Sequence, residues 1–263
     1  IPAQYGERLS AILDVQQRNG DMQDYSISGG IGLISSKINV EGPIQKGKSS
    51  FLLGARRTYA DAIARLSGIE EAQNAYLYFY DLNMKLYFAL SQRDQLSVSG
   101  YLGRDKMVMK DVASIGWGNA FLNAKWTHTL TSKWFSTTSL QYSRYSYDAN
   151  MDMGMNMDAN AKINNYGFRQ EFKYQPGSNS TWRIGFQSTY HDLAPGDYKA
   201  ESDVTNTLNL HHRYSLESGL YISNQLKLGD HLEVLYGLRL STFSALGKGE
   251  YYELNENLSL IHI

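Results

Sequence analysis

YSISGGIGLISSKINVEGPIQKGKSSFLLGARRTYAD, residues 25–61, alternates apolar, aromatic or glycine positions with polar or small ones over much of its length. Two-residue alternation sends successive side chains to opposite faces of an extended backbone, so the stretch reads as β-structure. At Gly29, Gly30, Ile31 and Gly32 the phase changes. Tyr25, Ile27, Gly29 and Ile31 define one face, whereas beyond Leu33 the apolar set is carried by Ile34, Ile38 and Val40. A tight hairpin on these glycines, which accept positive φ, accounts for the shift. Residues 41–50, rich in Gly, Pro and Lys, then turn the chain into a further strand of the same kind.

Working outward, the same unit recurs: strand, short turn, strand, longer polar segment. Strands are expected at 49–61, 76–90, 95–105, 115–130, 133–148, 163–175, 180–191, 213–228, 231–246 and 251–262. With the first two they make about twelve, most of them longer than the roughly 5–6 residues usual in globular sheets. They meet the roughly 9–11 residues that a tilted strand needs to cross a bilayer. Short turns (91–94, 131–133, 176–179, 229–230) alternate with longer segments (62–75, 106–114, 149–162, 192–212, 245–250). One end of the sheet should therefore carry tight turns and the other loops, as in outer-membrane barrels.

Within strands the alternation separates apolar from charged side chains. Leu232, Val234, Tyr236, Leu238 and Leu240 oppose Glu233, Gly237, Arg239 and Ser241. Trp182, Ile184, Phe186 and Tyr190 oppose Arg183, Gly185, Gln187 and Thr189, and Tyr166, Phe168, Phe172 and Tyr174 oppose Arg169, Glu171 and Lys173. Inward charges fit a wet lumen or a polar plug and are costly in a dry sandwich core. Aromatic clusters near strand ends (Tyr76, Tyr78, Tyr80; Tyr142, Tyr145, Tyr147; Tyr251, Tyr252) suit interfacial girdles.

Composition narrows the classes. A net charge of −1 over 263 residues offers no field for nucleic acid. Cysteine is absent, which removes disulfides, thiolate metal sites and thiol nucleophiles. Mean hydropathy is −0.42 and no run of about 18 apolar residues occurs, so no transmembrane helix is expected. An alternating barrel strand has just such a soluble-looking average. Tyrosine dominates the aromatics, with 20 Tyr against 9 Phe and 4 Trp, and its wet tip on an apolar ring suits a membrane interface.

PAQYGERLSAILDVQQRNG (2–20), GGIGLISSKINVEGPI (29–44), SSFLLGARRTYAD (49–61), SGYLGRD (99–105) and WRIGFQSTYHDL (182–193) carry a resemblance over essentially the whole chain. The sequence resembles a TonB-dependent outer-membrane receptor of Gram-negative bacteria. The resemblance implies an all-β fold: residues 1–22 as the last strand and end of a plug domain, and 23–263 as the first half of a transmembrane antiparallel barrel of about 22 strands. It implies that most of the plug and the TonB box precede Ile1, and that the remaining strands follow Ile263. The implied function is capture of a scarce extracellular ligand and its import into the periplasm with inner-membrane energy. The implied partners are outer-membrane lipid and TonB, with room for a surface lipoprotein or a larger outer-membrane assembly.

Three sets of residues are candidates for a site. In YDANMDMGMNMDANA (147–161), Asp148, Asn150, Asp152 and Asp158 place oxygens on one face, suited to a Ca²⁺ ion, and Met151, Met153, Met155 and Met157 line the other. The competing reading is an extracellular hairpin turning at Gly154. Arg56, Arg57 and Asp61 are candidates for plug–barrel ion pairs. His191, His211 and His212 could only form a metal site against strand parity, since adjacent strand residues face opposite ways. Residues 62–75 carry helical spacing (Ile63, Leu66, Ile69). No nucleophile elbow, zinc-protease motif or phosphate-cradling glycine loop occurs, so no enzyme is expected. Two rival readings are a complete small barrel acting as a passive pore or enzyme, and a soluble all-β glycan-binding or adhesion protein.

Overall fold

A computed structural model of the chain describes residues 2–6, 11–59, 68, 74–152, 156–200, 206–209, 211–229, 231–247, 252–254 and 260–262. Its strands are β1 (Ser26–Ile31), β2 (Ser35–Gln45), β3 (Ser49–Thr58), β4 (Ala75–Ala89), β5 (Asp94–Met109), β6 (Ala113–Thr129), β7 (Trp134–Asp152), β8 (Asn156–Gly177) and β9 (Ser180–Ala194). β10 (Asp197–Ala200), β11 (Asn206–Asn209), β12 (Arg213–Leu228), β13 (Leu232–Leu246), β14 (Tyr252–Leu254) and β15 (Leu260–His262) follow. Eleven strands, β1 to β9 followed by β12 and β13, form one antiparallel meander in which each strand pairs with the next. β10 and β11 form a hairpin in the β9–β12 connection that adds to the upper part of β8.

The opening hairpin turns at residues 32–34, later than expected: Gly29, Gly30 and Ile31 pair with β2 in the ladder, and of the expected turn residues only Gly32 stands in the turn. Five connections (46–48, 90–93, 130–133, 178–179 and 229–231) are tight and share one end of the sheet. Two of them use one device. Ser91 Oγ accepts the backbone N–H groups of Arg93 and Asp94, both at 3.0 Å, and Thr131 Oγ1 accepts those of Lys133 and Trp134 at 3.3 and 3.1 Å. A hydroxyl two or three residues upstream substitutes for a backbone acceptor and fixes the turn.

The other end departs from expectation. Segments 106–114 and 149–162 are mostly strand: β5 and β6 meet at residues 110–112, with Asp111 at φ 57°, and β7 and β8 run 19 and 22 residues. Polar composition suggested loops there, but the two-residue period persists, and ladder bonds need no apolar side chains. The twelfth expected strand, 251–262, is instead the small β14–β15 pair, because the polar run 255–257 breaks its alternation. Residues 1–22 were expected to end a plug domain in a strand; those of them that are described, 2–6 and 11–22, make no ladder. Alternation signals extended backbone, whereas a strand also needs a neighbour. Most of 62–75, like Asp61, lies outside the described residues.

Register sorts every strand into two faces. One, here the inner face, is covered by residues 2–6 and 11–20 and carries Lys85, Ser99, Lys125, Gln141, Arg169, Arg183, Tyr221 and Arg239. The outer face bears two aromatic belts. Near the tight turns, Trp134, Tyr174, Trp182, Asn224 and Tyr236 occupy one paired row from β7 to β13, with Trp134 and Tyr174 stacked at 4.5 Å. Trp126 on β6 and Phe51 on β3 continue it. Nearer the other end, Tyr142, Tyr166, Tyr190 and Tyr214 follow one another at 5.3, 6.2 and 6.0 Å between ring centres. Tyr166 and Tyr174 lie about 27 Å apart along β8 at about 3.4 Å per residue. With a tilt of about 40° the belts are about 21 Å apart, close to the roughly 25 Å apolar band of an outer-membrane barrel. Tyr145 and Tyr147, expected in the same girdle as Tyr142, point inward by parity.

Between the belts the outer face is apolar (Leu122, Leu140, Phe168, Phe172, Ile184, Phe186, Leu220, Ile222, Leu238, Leu240), with half or more of several side chains exposed. Its polar members pair with one another. Thr138 Oγ1 donates to Gln170 Oε1 (2.6 Å), Gln170 Nε2 donates to Ser136 Oγ (2.8 Å), and the Ser188 and Ser218 hydroxyls are 2.9 Å apart. Such pairing removes the cost that an unsatisfied polar group carries on an apolar face.

Candidate functional site: the inner face beneath the N-terminal segment

Residues 11–24 cross the inner face and are tied to the sheet at several points. Arg18 Nη2 donates to Glu41 Oε1 at 2.7 Å, Gln17 Nε2 to Asn83 Oδ1 at 3.4 Å, and the Gly47 N–H to the Met22 carbonyl at 2.9 Å. Gly20 is buried, and a Cβ there would stand 2.0 Å from the Phe51 carbonyl oxygen, so only glycine allows this approach. Asp21 closes the adjacent turn by accepting the N–H groups of Gln23 (2.7 Å) and Asp24 (3.2 Å), which hold its carboxyl below the usual range. At the far end of the sheet, Arg239 Nη1 reaches the Ala3 carbonyl, and the Tyr5 ring lies 6.0 Å from the Arg169 guanidinium.

The tightest packing on this face surrounds Tyr221, 2% exposed. Register aligns Glu171, Gly185, Tyr221 and Arg239 in one row across four strands. The Tyr221 ring lies across Gly185, where a Cβ would come 2.3 Å from Cζ. Its hydroxyl thereby reaches past β9 to donate to Glu171 Oε2 at 2.6 Å and accept from Arg169 Nη2 at 2.9 Å. Arg169 also pairs with Glu171 at 3.1 Å, and Arg183 stands 3.8 Å from the other oxygen. The two cations and the phenol therefore satisfy one carboxylate. The sequence marks Arg169, Glu171 and Gly185 as inward; Tyr221 escapes notice because its partners are two strands away in the sheet.

Between the N-terminal segment and the sheet lies a cavity of about 1130 Å³, lined by Lys85, Lys125, Arg169, Lys173, Arg183 and Arg18 against Asp14 and Glu171. Hydroxyls and amides of Ser97, Ser99, Asn123, Ser139 and Gln141 fill the positions between.

No protein-family model matches the chain, and no curated protein matches it in sequence. Solved structures match it in shape. Against the copper transporter OprC the TM-score is 0.66 at 6% identity, covering 94% of this chain and 41% of that one. The ferripyoverdine receptor of the outer membrane of Pseudomonas aeruginosa gives 0.63 at 11%, covering 94% and 39%. BauA, the ferric preacinetobactin receptor from Acinetobacter baumannii, gives 0.62 at 10%, covering 86% and 42%. The fold is that of a TonB-dependent receptor barrel. The chain spans about two fifths of the length of the receptors it matches.

On this sheet the expected site residues separate. Arg56, on the inner face, pairs with Asp81 of β4 at 2.7 Å and lies 4.9 Å from the Phe79 ring, whereas Arg57 faces outward by parity. Arg18–Glu41, not foreseen, is the ion pair that joins the N-terminal segment to the wall among the described residues. Asp148, Asn150 and Asp158 do share a face, and it is the outer one, beyond the upper tyrosine belt. Asp148 accepts from Arg104 at 2.6 Å and Asp158 from Asn150 at 2.5 Å. The side chain of Asp152 lies outside the described residues. Among the described residues no three His, Asp or Glu side chains converge on a metal-sized point. His191 lies between Asn165 and Glu217, and His212 beside Asp192, so the histidines serve different neighbours.

Proposed function

We propose that the chain is a wall section of a TonB-dependent outer-membrane receptor, which captures a scarce extracellular ligand and passes it to the periplasm using energy delivered through TonB. Residues 1–22 are on this reading the end of a plug domain lying within the barrel. The observation that carries the proposal is the outer face: two aromatic belts flank an apolar band whose few polar side chains are bonded to one another, while between the belts charge is confined to the inner face. A soluble sandwich has no use for an apolar outer band, and a lipid-facing wall requires one. The likeness to solved receptors supports the same reading, as does the N-terminal segment held on the inner face. The experiment is mass determination of the intact polypeptide from outer membranes, together with electrophoresis before and after boiling. A heat-modifiable chain several hundred residues longer supports the receptor; an intact mass near 29.7 kDa overturns it.

A further inference from the structure

On the outer face the side chains change character past the upper tyrosine belt. Register places Arg104 and Lys106 of β5, Arg144 of β7 and Lys162 of β8 on outward positions there. Arg104, Gly118, Ser146 and Lys162 form one row across the four strands β5 to β8. Arg144 stands one outward position nearer the belt, next above Tyr142, and Lys106 one farther from it, paired with Gly116. At the tight-turn end the outward charge of the described strands is instead Asp94, held by His128. Cations therefore gather at one margin of the apolar band and not at the other.

The patch is shaped as well as charged. Gly116 and Gly118 leave β6 bare on this face, so a shallow trough separates β5 from β7, which lie about 10 Å apart. A Cβ at Gly116 would stand 2.9 Å from Asp148 Oδ2, and one at Gly118 3.2 Å from Ser146 Oγ. Across the trough Asp148 accepts from Arg104 at 2.6 Å. Asp192 is engaged by Asn164 and His212, both at 3.2 Å, and Asp158 by Asn150. Among the described residues Lys106, Arg144 and Lys162 make no ion pair, and they lie within about 15 Å of one another across the sheet. Arg144 and Lys162 are exposed. A merely solvated rim has no reason to favour one sign of charge at one end. An anionic headgroup layer resting on the edge of an apolar band gives that reason, because long cationic side chains at such a margin extend to the headgroup level. Arg offers a fork that fits phosphate oxygens, Lys a compact charge, and the Ser146 hydroxyl a further donor.

We propose that this trough holds the phosphate of a phosphorylated lipid, with Arg144, Lys162 and Lys106 around the headgroup and the acyl chains lying along the band past Tyr142 and Tyr166. The proposal goes beyond the receptor reading and rests on it for a wall that faces lipid. The probe is dioleoyl phosphatidic acid, added to the intact protein in detergent, with native mass spectrometry counting the lipid retained. Dioleoyl phosphatidylcholine, with the same chains and no net charge, is the control. Phosphatidic acid should be retained in preference, and Arg144→Gln/Lys162→Gln should lower its retention roughly tenfold or more. Lys46→Gln/Lys133→Gln removes two exposed charges from the tight turns and should leave retention unchanged. Equal retention of the two lipids, or the same phosphatidic acid retention in both double variants, overturns the proposal. Displacement of the lipid by excess glycerol 3-phosphate also overturns it, since the site then takes free phosphate esters. Heat-modifiable migration, measured on the same samples, separates the two readings: its loss counts against the barrel, its presence without a preference for phosphatidic acid against the lipid site alone.

Discussion

Gly185 and Tyr221 show how one missing methyl organises a surface. Because β9 carries no side chain at that point, a phenol from β12 can lie across it and reach a carboxylate on β8. Gly185→Val forces the ring off the wall and strips Glu171 of its shortest hydrogen bond, at a cost of about 2–3 kcal/mol. The temperature at which the heat-modifiable form is lost should fall accordingly. Tyr221→Phe keeps the packing and removes only the hydroxyl, so it should cost less, about 1–2 kcal/mol by the same measurement. At the tight-turn end, Ser91 Oγ donates to Asp94 at 2.7 Å, with His128 Nδ1 at 2.6 Å and Trp126 Nε1 at 3.1 Å, and together they hold the Asp94 carboxyl below its ordinary value. A depressed carboxyl stabilises the turn fully above its unfolded value, near about 3.9, and loses that contribution as pH falls through the lower folded one. Hydrogen-exchange protection at residues 90–94, taken relative to the intrinsic rate at each pH, should therefore be high at pH 5 and fall towards pH 2, and Asp94→Asn should flatten the difference. The inward residues Arg169, Glu171 and Gly185 were legible from parity alone; Tyr221 was not, since nothing local announces a partner two strands away.

At the scale of the strand, parity governs tolerance. Leu140 and Gln141 are neighbours in β7, but one faces the apolar band and the other the cavity. Leu140→Arg should cost about 2–4 kcal/mol in lipid, whereas Gln141→Arg should be nearly neutral. Unfolding in denaturant from lipid vesicles checks both. Strand existence and facing were readable because the two-residue period is strict. Strand ends were not, at the 106–114 and 149–162 segments, because beyond the apolar band a ladder can continue with polar side chains on either face. The face shared by Asp148, Asn150 and Asp158 is the outer one, a placement that follows only from counting register up from Trp134.

For the whole molecule, the arrangement of inner face, outer face and N-terminal segment decides the reading. The Arg18–Glu41 pair gives a direct check on that arrangement: Glu41→Arg should release residues 11–24 and speed tryptic cleavage there, and Arg18→Glu combined with Glu41→Arg should restore protection. Were the segment held otherwise, the double exchange would behave like the single one. The sequence by itself determined an all-β antiparallel meander, the two faces of each strand and the tight turns at one end, because alternation and turn chemistry are local and act within a few residues. Tertiary structure alone decided which carboxylate Tyr221 meets, that Arg56 pairs within the wall, and that the tyrosines of four strands align in a belt. Those outcomes depend on register summed over many strands, and a displacement of one residue anywhere would exchange the two faces.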